Sequence, residues 1–130
     1  MAFKPHQTND GRVPPFEYLP AGAITPKVGM ALYMNAGNLA IAAGTTKPTY
    51  ICMCEKDAAV AAGDIIPVIR VDDGMILSVP LSAAGTSLKL GNKVTIATGG
   101  LQVTATTTDG VAEIVGIMGT AVGDEVLVRF

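Results

Sequence analysis

The sequence predicts an all-β chain: a compact β-barrel or sandwich of short strands over residues 28–130, preceded by an extended, proline-rich arm over residues 1–27. Three observations carry this expectation. The apolar runs are short and rich in β-branched or aliphatic residues, as strands are. Glycine-containing turn signals punctuate them at short intervals. No segment shows a helical pattern long enough to hold a helix alone.

The strand candidates are 30–34, 39–42, 65–71, 75–79, 94–97, 101–105 and 126–130. Asn35-Ala36-Gly37-Asn38 separates the first two. Asp73-Gly74 reads as a hairpin turn between 65–71 and 75–79, and Gly99-Gly100 as another between 93–97 and 101–105. The stretch 55–62 has helix-like composition but is closed by Gly63, so it reads as a loop or a single helical turn. The expected core is Leu32, Met34, Ile41, Ile51, Ile66, Val68, Val94, Ile96, Val103, Ile114, Val126 and Val128.

The second half repeats features of the first. With Val28-Gly29 set on Leu90-Gly91, Leu32 meets Val94, Met34 meets Ile96, Gly37 meets Gly99, and Thr45-Thr46 meets Thr107-Thr108. One residue of slippage sets Ile51 on Ile114. Further on, Gly63-Asp64 matches Gly123-Asp124 and Arg70-Val71 matches Arg129-Phe130. Residues 28–71 and 90–130 therefore read as pseudo-repeats of one unit: strand, turn, strand, Thr-Thr loop, strand, Gly-Asp turn, strand. A single four-stranded unit cannot bury its apolar face and both edges, whereas two such units can.

Residues 1–27 hold five of the eight prolines and three of the six aromatics. Proline removes a backbone donor and pushes its predecessor toward extended conformations. An arm without long paired strands follows. Packing back on its own domain and simple disorder are the alternatives to partner contact. Aromatics among prolines favour contact, so Phe3, Pro14, Pro15, Phe16 and Tyr18 are expected to face a partner or a neighbouring subunit.

Composition excludes several classes. Charged residues are 15% of the chain and the net charge is −2. The nine basic residues are scattered singly, so no phosphate-binding stripe forms and nucleic acid is not an expected partner. No apolar run is long enough to span a membrane, and the start has no apolar signal-peptide core. Cys52 and Cys54 read as small buried hydrophobes, reduced as in a cytoplasm. They lack companions for a metal site, since the one histidine, His6, is distant in sequence. His6 in the arm is a poor place for a positioned base. The carboxylates cluster beside turn residues. Asp72-Asp73-Gly74 lacks calcium-loop spacing, and Gly44-Thr45-Thr46-Lys47 and Gly91-Asn92-Lys93 are not complete phosphate loops. No enzyme, cofactor or metal is expected.

Four stretches carry a family resemblance: 45–53 (Thr-Thr-Lys-Pro-Thr-Tyr-Ile-Cys-Met), 66–71 (Ile-Pro-Val-Ile-Arg-Val), 91–96 (Gly-Asn-Lys-Val-Thr-Ile) and 100–107 (Gly-Leu-Gln-Val-Thr-Ala-Thr-Thr). Over most of 22–130 the chain resembles small head-decoration, or capsid cement, proteins of tailed bacteriophages and prophages. The likeness lies in overall pattern, without a diagnostic motif. It implies a structural virion protein, made in the host cytoplasm and seated on the outside of the shell, where it binds the major capsid protein, often as a homotrimer. Low charge and ample apolar surface also fit a trimer. The alternatives are a head-fibre base or tail-associated β-domain, and a small ligand- or carbohydrate-binding barrel. The scarcity of aromatics weakens the last.

Overall fold

A computed structural model describes residues 2–8 and 10–130. Among these there is no helix. Ten strands form two antiparallel sheets: β1 (Lys4–Gln7), β2 (Glu17–Pro20), β3 (Ala31–Asn35), β4 (Asn38–Ile41), β5 (Tyr50–Cys52), β6 (Ile65–Arg70), β7 (Ile76–Pro80), β8 (Lys93–Val94), β9 (Ala112–Ile117) and β10 (Glu125–Arg129). One sheet runs β1-β7-β10-β9-β8 and the other β2-β6-β5-β3-β4.

The barrel alternative is corrected by this order, because neither sheet closes. Only isolated bridges continue them, Ala21 to Leu39 in one and Leu81 to Val103 in the other. The hairpin expected at Asp73-Gly74 is also corrected. Gly74 takes the expected positive φ of 80°, but β6 lies in one sheet and β7 in the other, so the turn carries the chain between sheets. Asn35 to Asn38 does form a hairpin: β3 and β4 pair directly across it, with Ala36 at φ 52° and Gly37 at φ 86°. Two consecutive positive φ values match the right-handed twist of the flanking strands. At Gly99-Gly100 the chain also reverses, but only Ile96 and Val103 bridge across it, supported by a 2.7 Å hydroxyl contact between Thr95 and Thr104. Residues 55–62 are a loop.

Two corner motifs recur. Ala21 N–H donates to Asp64 O at 2.7 Å while Gly63 N–H donates to Ala21 O at 2.7 Å. Leu81 N–H donates to Asp124 O at 2.9 Å while Gly123 N–H donates to Leu81 O at 2.8 Å. At each corner the aspartate Oδ2 caps its own turn, accepting from Ala61 N–H at 3.0 Å or Ala121 N–H at 3.1 Å. Gly63 and Gly123 supply φ values of 93° and 88° that other residues rarely adopt. In the same way Gly29 N–H donates to Cys52 O, and Gly91 N–H to Ile114 O, both at 2.8 Å.

The larger buried cluster joins both sheets. It contains Leu77, Val79, Val94, Ala112, Ile114, Val126 and Val128 from one sheet, and Ala31, Ile51 and Ile69 from the other. A second cluster, with Leu32, Leu39, Cys52, Ile66 and Val68, fills the opposite face of the second sheet. The β3-β5-β6 sheet is therefore buried on both faces, since alternate side chains of a strand point opposite ways. Ten of the twelve expected core residues are buried. Met34 is exposed and Ile41 only half-buried, although their partners across the β3–β4 hairpin, Leu39 and Leu32, are buried.

The described residues of the segment 1–27 contribute a strand to each sheet. β1 forms the edge beside β7 and β2 the edge beside β6. Proline tolerates these edge positions, where one face of the backbone needs no partner.

Candidate interaction surface

The expected contact residues part company in the structure. Phe3 is corrected as a partner-facing residue: it is 1% exposed and belongs to the chain's own core. Its N–H donates to Gly29 O at 2.9 Å, and its ring meets Phe130 with centroids 5.8 Å apart. Phe3 leads into β1, and the register of β1 on β7 draws the ring inward. Pro14 is half-buried and Pro15 exposed. Phe16 and Tyr18 are 48% and 66% exposed, large values for aromatic side chains.

Val13, at 56%, and Ile65, at 60%, are exposed as well. Neither was singled out by the sequence, where Val13 is one residue of a proline-rich segment and Ile65 the first of an apolar strand. Ile65 lies opposite Pro20 on the β2–β6 pair, and Tyr18 lies opposite Pro67. Tyr18 and Ile65 therefore lie on one face. The other face of β2 holds Glu17, which accepts from Arg70 Nε at 3.1 Å and Arg70 Nη2 at 3.2 Å.

Upstream, the bend at Asp10–Arg12 makes two adjoining hollows. One, of about 420 Å³, is lined by Val13, Pro14, Pro15 and Asp72; the other, of about 210 Å³, by Pro5, His6, Gln7 and Gly11. Asp10 braces the bend, accepting from Arg12 N–H at 3.0 Å and from the Thr8 hydroxyl at 3.4 Å. A third hollow, of about 350 Å³, lies between Lys47, Lys93 and Arg129, with Arg129 Nε held by Glu113 at 2.7 Å.

The groups with chemical potential are placed as structure. Cys52 and Cys54 are free, with sulfurs 3.9 Å apart. Cys52 is buried and its thiol is pushed up to about 12, first by burial, so it stays protonated near neutral pH. Arg70 is raised by its hydrogen bond to Glu17, with nearby Tyr50 and Glu17 charge adding to it. His6 sits exposed on β1. Among the described residues, no three His, Cys, Asp or Glu side chains gather as metal ligands, and no buried side-chain nitrogen or oxygen lacks a partner. No described helix is long and apolar enough to cross a membrane. No family model matches the chain, and no curated protein matches it.

Proposed function

We propose that this chain is a structural virion protein that sits on the outside of a tailed-phage capsid and stabilises contacts between major capsid protein subunits. The observation that carries the reading is the exposed apolar surface formed by Val13, Phe16, Tyr18 and Ile65 beside the Pro14-Pro15 hollow, on a chain otherwise poor in charge. An exposed cluster of this kind, at an extended segment already stiffened by proline, suits contact with another protein at low ordering cost. The mechanism is mass action. A protein that binds only the assembled lattice stabilises that lattice against rupture. Repeated sites on one shell multiply weak contacts.

We also infer that the chain is an internal duplication whose units begin further upstream than the sequence repeat. The support is the paired wiring: Ala21 with Leu81, Gly63-Asp64 with Gly123-Asp124, Gly29 with Gly91, and Cys52 with Ile114 make the same hydrogen bonds in each half. On that correspondence β2 matches β7, and the strand orders β2-β6-β5-β3 and β7-β10-β9-β8 coincide.

The test is to add purified protein to phage heads that lack it. Regular surface knobs in negative stain, together with heads that withstand a higher temperature, are expected. Heads that stay bare overturn the reading.

A further inference from the structure

The basic residues lie singly along the sequence, yet the fold brings Lys47, Lys93 and Arg129 to one hollow. Lys93 faces Glu113 across the β8–β9 pair, and Glu113 faces Arg129 across the β9–β10 pair. Residues that face each other on antiparallel strands share one side of the sheet. Lys93, Glu113 and Arg129 therefore form a row on the outer side, since their neighbours Val94, Ala112 and Val128 are buried in the core. Lys47 reaches the same hollow from the loop between β4 and β5, in the other sheet.

The one carboxylate of the row serves one cation. Glu113 Oε1 accepts from Arg129 Nε at 2.7 Å. That contact fixes the guanidinium and leaves its two terminal nitrogens, a planar pair of donors matched to the two oxygens of a carboxylate. Among the described residues, neither these nitrogens nor the ammonium groups of Lys47 and Lys93 have a hydrogen-bond or ion-pair partner. Positive side chains thus outnumber negative ones in the hollow, on a chain whose net charge is −2. A main-chain carboxylate at Phe130 would leave that sign unchanged, and Asp109, the residue before Gly110, does not line the hollow.

The hollow shares an end of the molecule with the exposed aromatic Phe16. The turn after Arg70 carries β6 into β7, so the end of β6 and the start of β7 lie together. Antiparallel pairing brings the end of β10, at Arg129, to the start of β7. It also brings the start of β2, just after Phe16, to the end of β6. One partner surface can meet both places.

We propose that the hollow receives an acidic side chain, aspartate or glutamate, of the protein on which this chain sits. The carboxylate takes the Arg129 terminal nitrogens and is flanked by Lys47 and Lys93. Nucleic acid would need cations spaced along a track of phosphates, whereas Lys4 and Arg70 are paired with Glu125 and Glu17 and leave this hollow isolated. Glu113 lies within the hollow and repels a dianion more than a monoanion, which favours a carboxylate over a phosphate. The preference for a carboxylate rests on the hollow alone; naming the capsid protein as its source rests on the virion reading.

The test has two arms. In the first, the isotope-labelled full chain, without any shell, is titrated with tetraglutamate and separately with inorganic phosphate while its amide NMR signals are followed. Tetraglutamate should move the signals of Gly110, Val111 and Glu113. Its binding should weaken as sodium chloride rises from about 0.01 to 0.15 M, over which the screening length falls from about 30 to 8 Å. Joint Lys47→Ala and Lys93→Ala substitution should weaken it at least fivefold with an unchanged circular dichroism spectrum, whereas joint Lys27→Ala and Lys56→Ala substitution should not. Unmoved signals at these amides, tighter binding of phosphate, or undiminished binding by the Lys47 and Lys93 variant overturns the proposal. In the second arm, both the natural chain and the Lys47 and Lys93 variant are added to heads that lack the protein. Occupancy by the variant should fall at least tenfold. Equal occupancy overturns this proposal alone, and heads left bare by the natural chain refute the virion reading alone.

Discussion

Replacing Phe3 by alanine tests whether the N-terminal segment is part of the fold. The ring is 1% exposed, stands against Phe130 at 5.8 Å, and lies in the cluster that joins both sheets. Truncating a buried phenylalanine costs about 3–5 kcal/mol, the lost transfer energy plus the cavity left behind. About 0.5–1.5 kcal/mol of that belongs to the aromatic pair beyond its area. The site is poorly placed to collapse. Gly29 approaches so closely that a methyl group there would run into the Ala2 side chain and the Phe3 carbonyl, so the backbone around the ring is already packed.

Against a total stability of about 5–15 kcal/mol, Phe3→Ala should remove about a fifth or more. Urea unfolding followed by circular dichroism reads this as a lower midpoint at unchanged slope. The thermal midpoint should fall by about 10–20 °C for a chain of this size. Phe16→Ala is the control: at 48% exposure it should shift stability by no more than about 0.5 kcal/mol. A loss under about 1 kcal/mol for Phe3→Ala would refute the argument and make the segment peripheral. Deleting residues 1–7 should cost at least as much, because it also uncovers β7. The sequence alone suggests the opposite, that the domain folds without its first twenty residues.

Further outcomes follow from single positions. A methyl group on Gly110 would run into the Lys93 carbonyl, so Gly110→Ala should lose at least about 2 kcal/mol and much of the soluble yield. Arg70→Ala removes a bidentate but exposed ion pair with Glu17, and should leave the urea midpoint nearly unchanged. A thiol reagent at pH 8 should label half-buried Cys54 well before Cys52, and both equally in denaturant. The Cys52 thiol also predicts an alkaline limit. Its pKa rises from 9.0 to about 12 on folding, so above pH 9 the unfolded chain holds fewer protons than the folded one, and stability should fall as pH rises from 9 toward 12. Cys52→Ala should flatten that slope, which a urea series at stepped pH would show.

Much of the interior was legible because burial and β-branching coincide. Ile66, Val68, Val126 and Val128 alternate along β6 and β10 as strand residues facing a core must. The β3–β4 turn was legible because asparagine and glycine meet the demand for positive φ. β9 was missing from the apolar runs, since Glu113 and Gly116 interrupt it, and only the repeat placed a strand at Ile114. β1 and β2 were hidden by proline, which argues against a central strand and permits an edge. The candidate surface was half legible. Phe16 and Tyr18 stand exposed, while Phe3 does not, because nothing in Phe3-Lys4-Pro5 announces that β7 lacks a neighbour.

The misplaced hairpin and the edges of the two units have one physical origin. A Gly-containing turn between two apolar strands normally pairs them, yet Asp73-Gly74 joins strands of different sheets. If each half is a unit with its own strand order, β6 already has β5 and β2 beside it and has no edge left for β7. The turn must then serve as the link between units. The second unit then receives β1 along its edge, whereas the edge of the first meets β4 at Ala21 and Gly22.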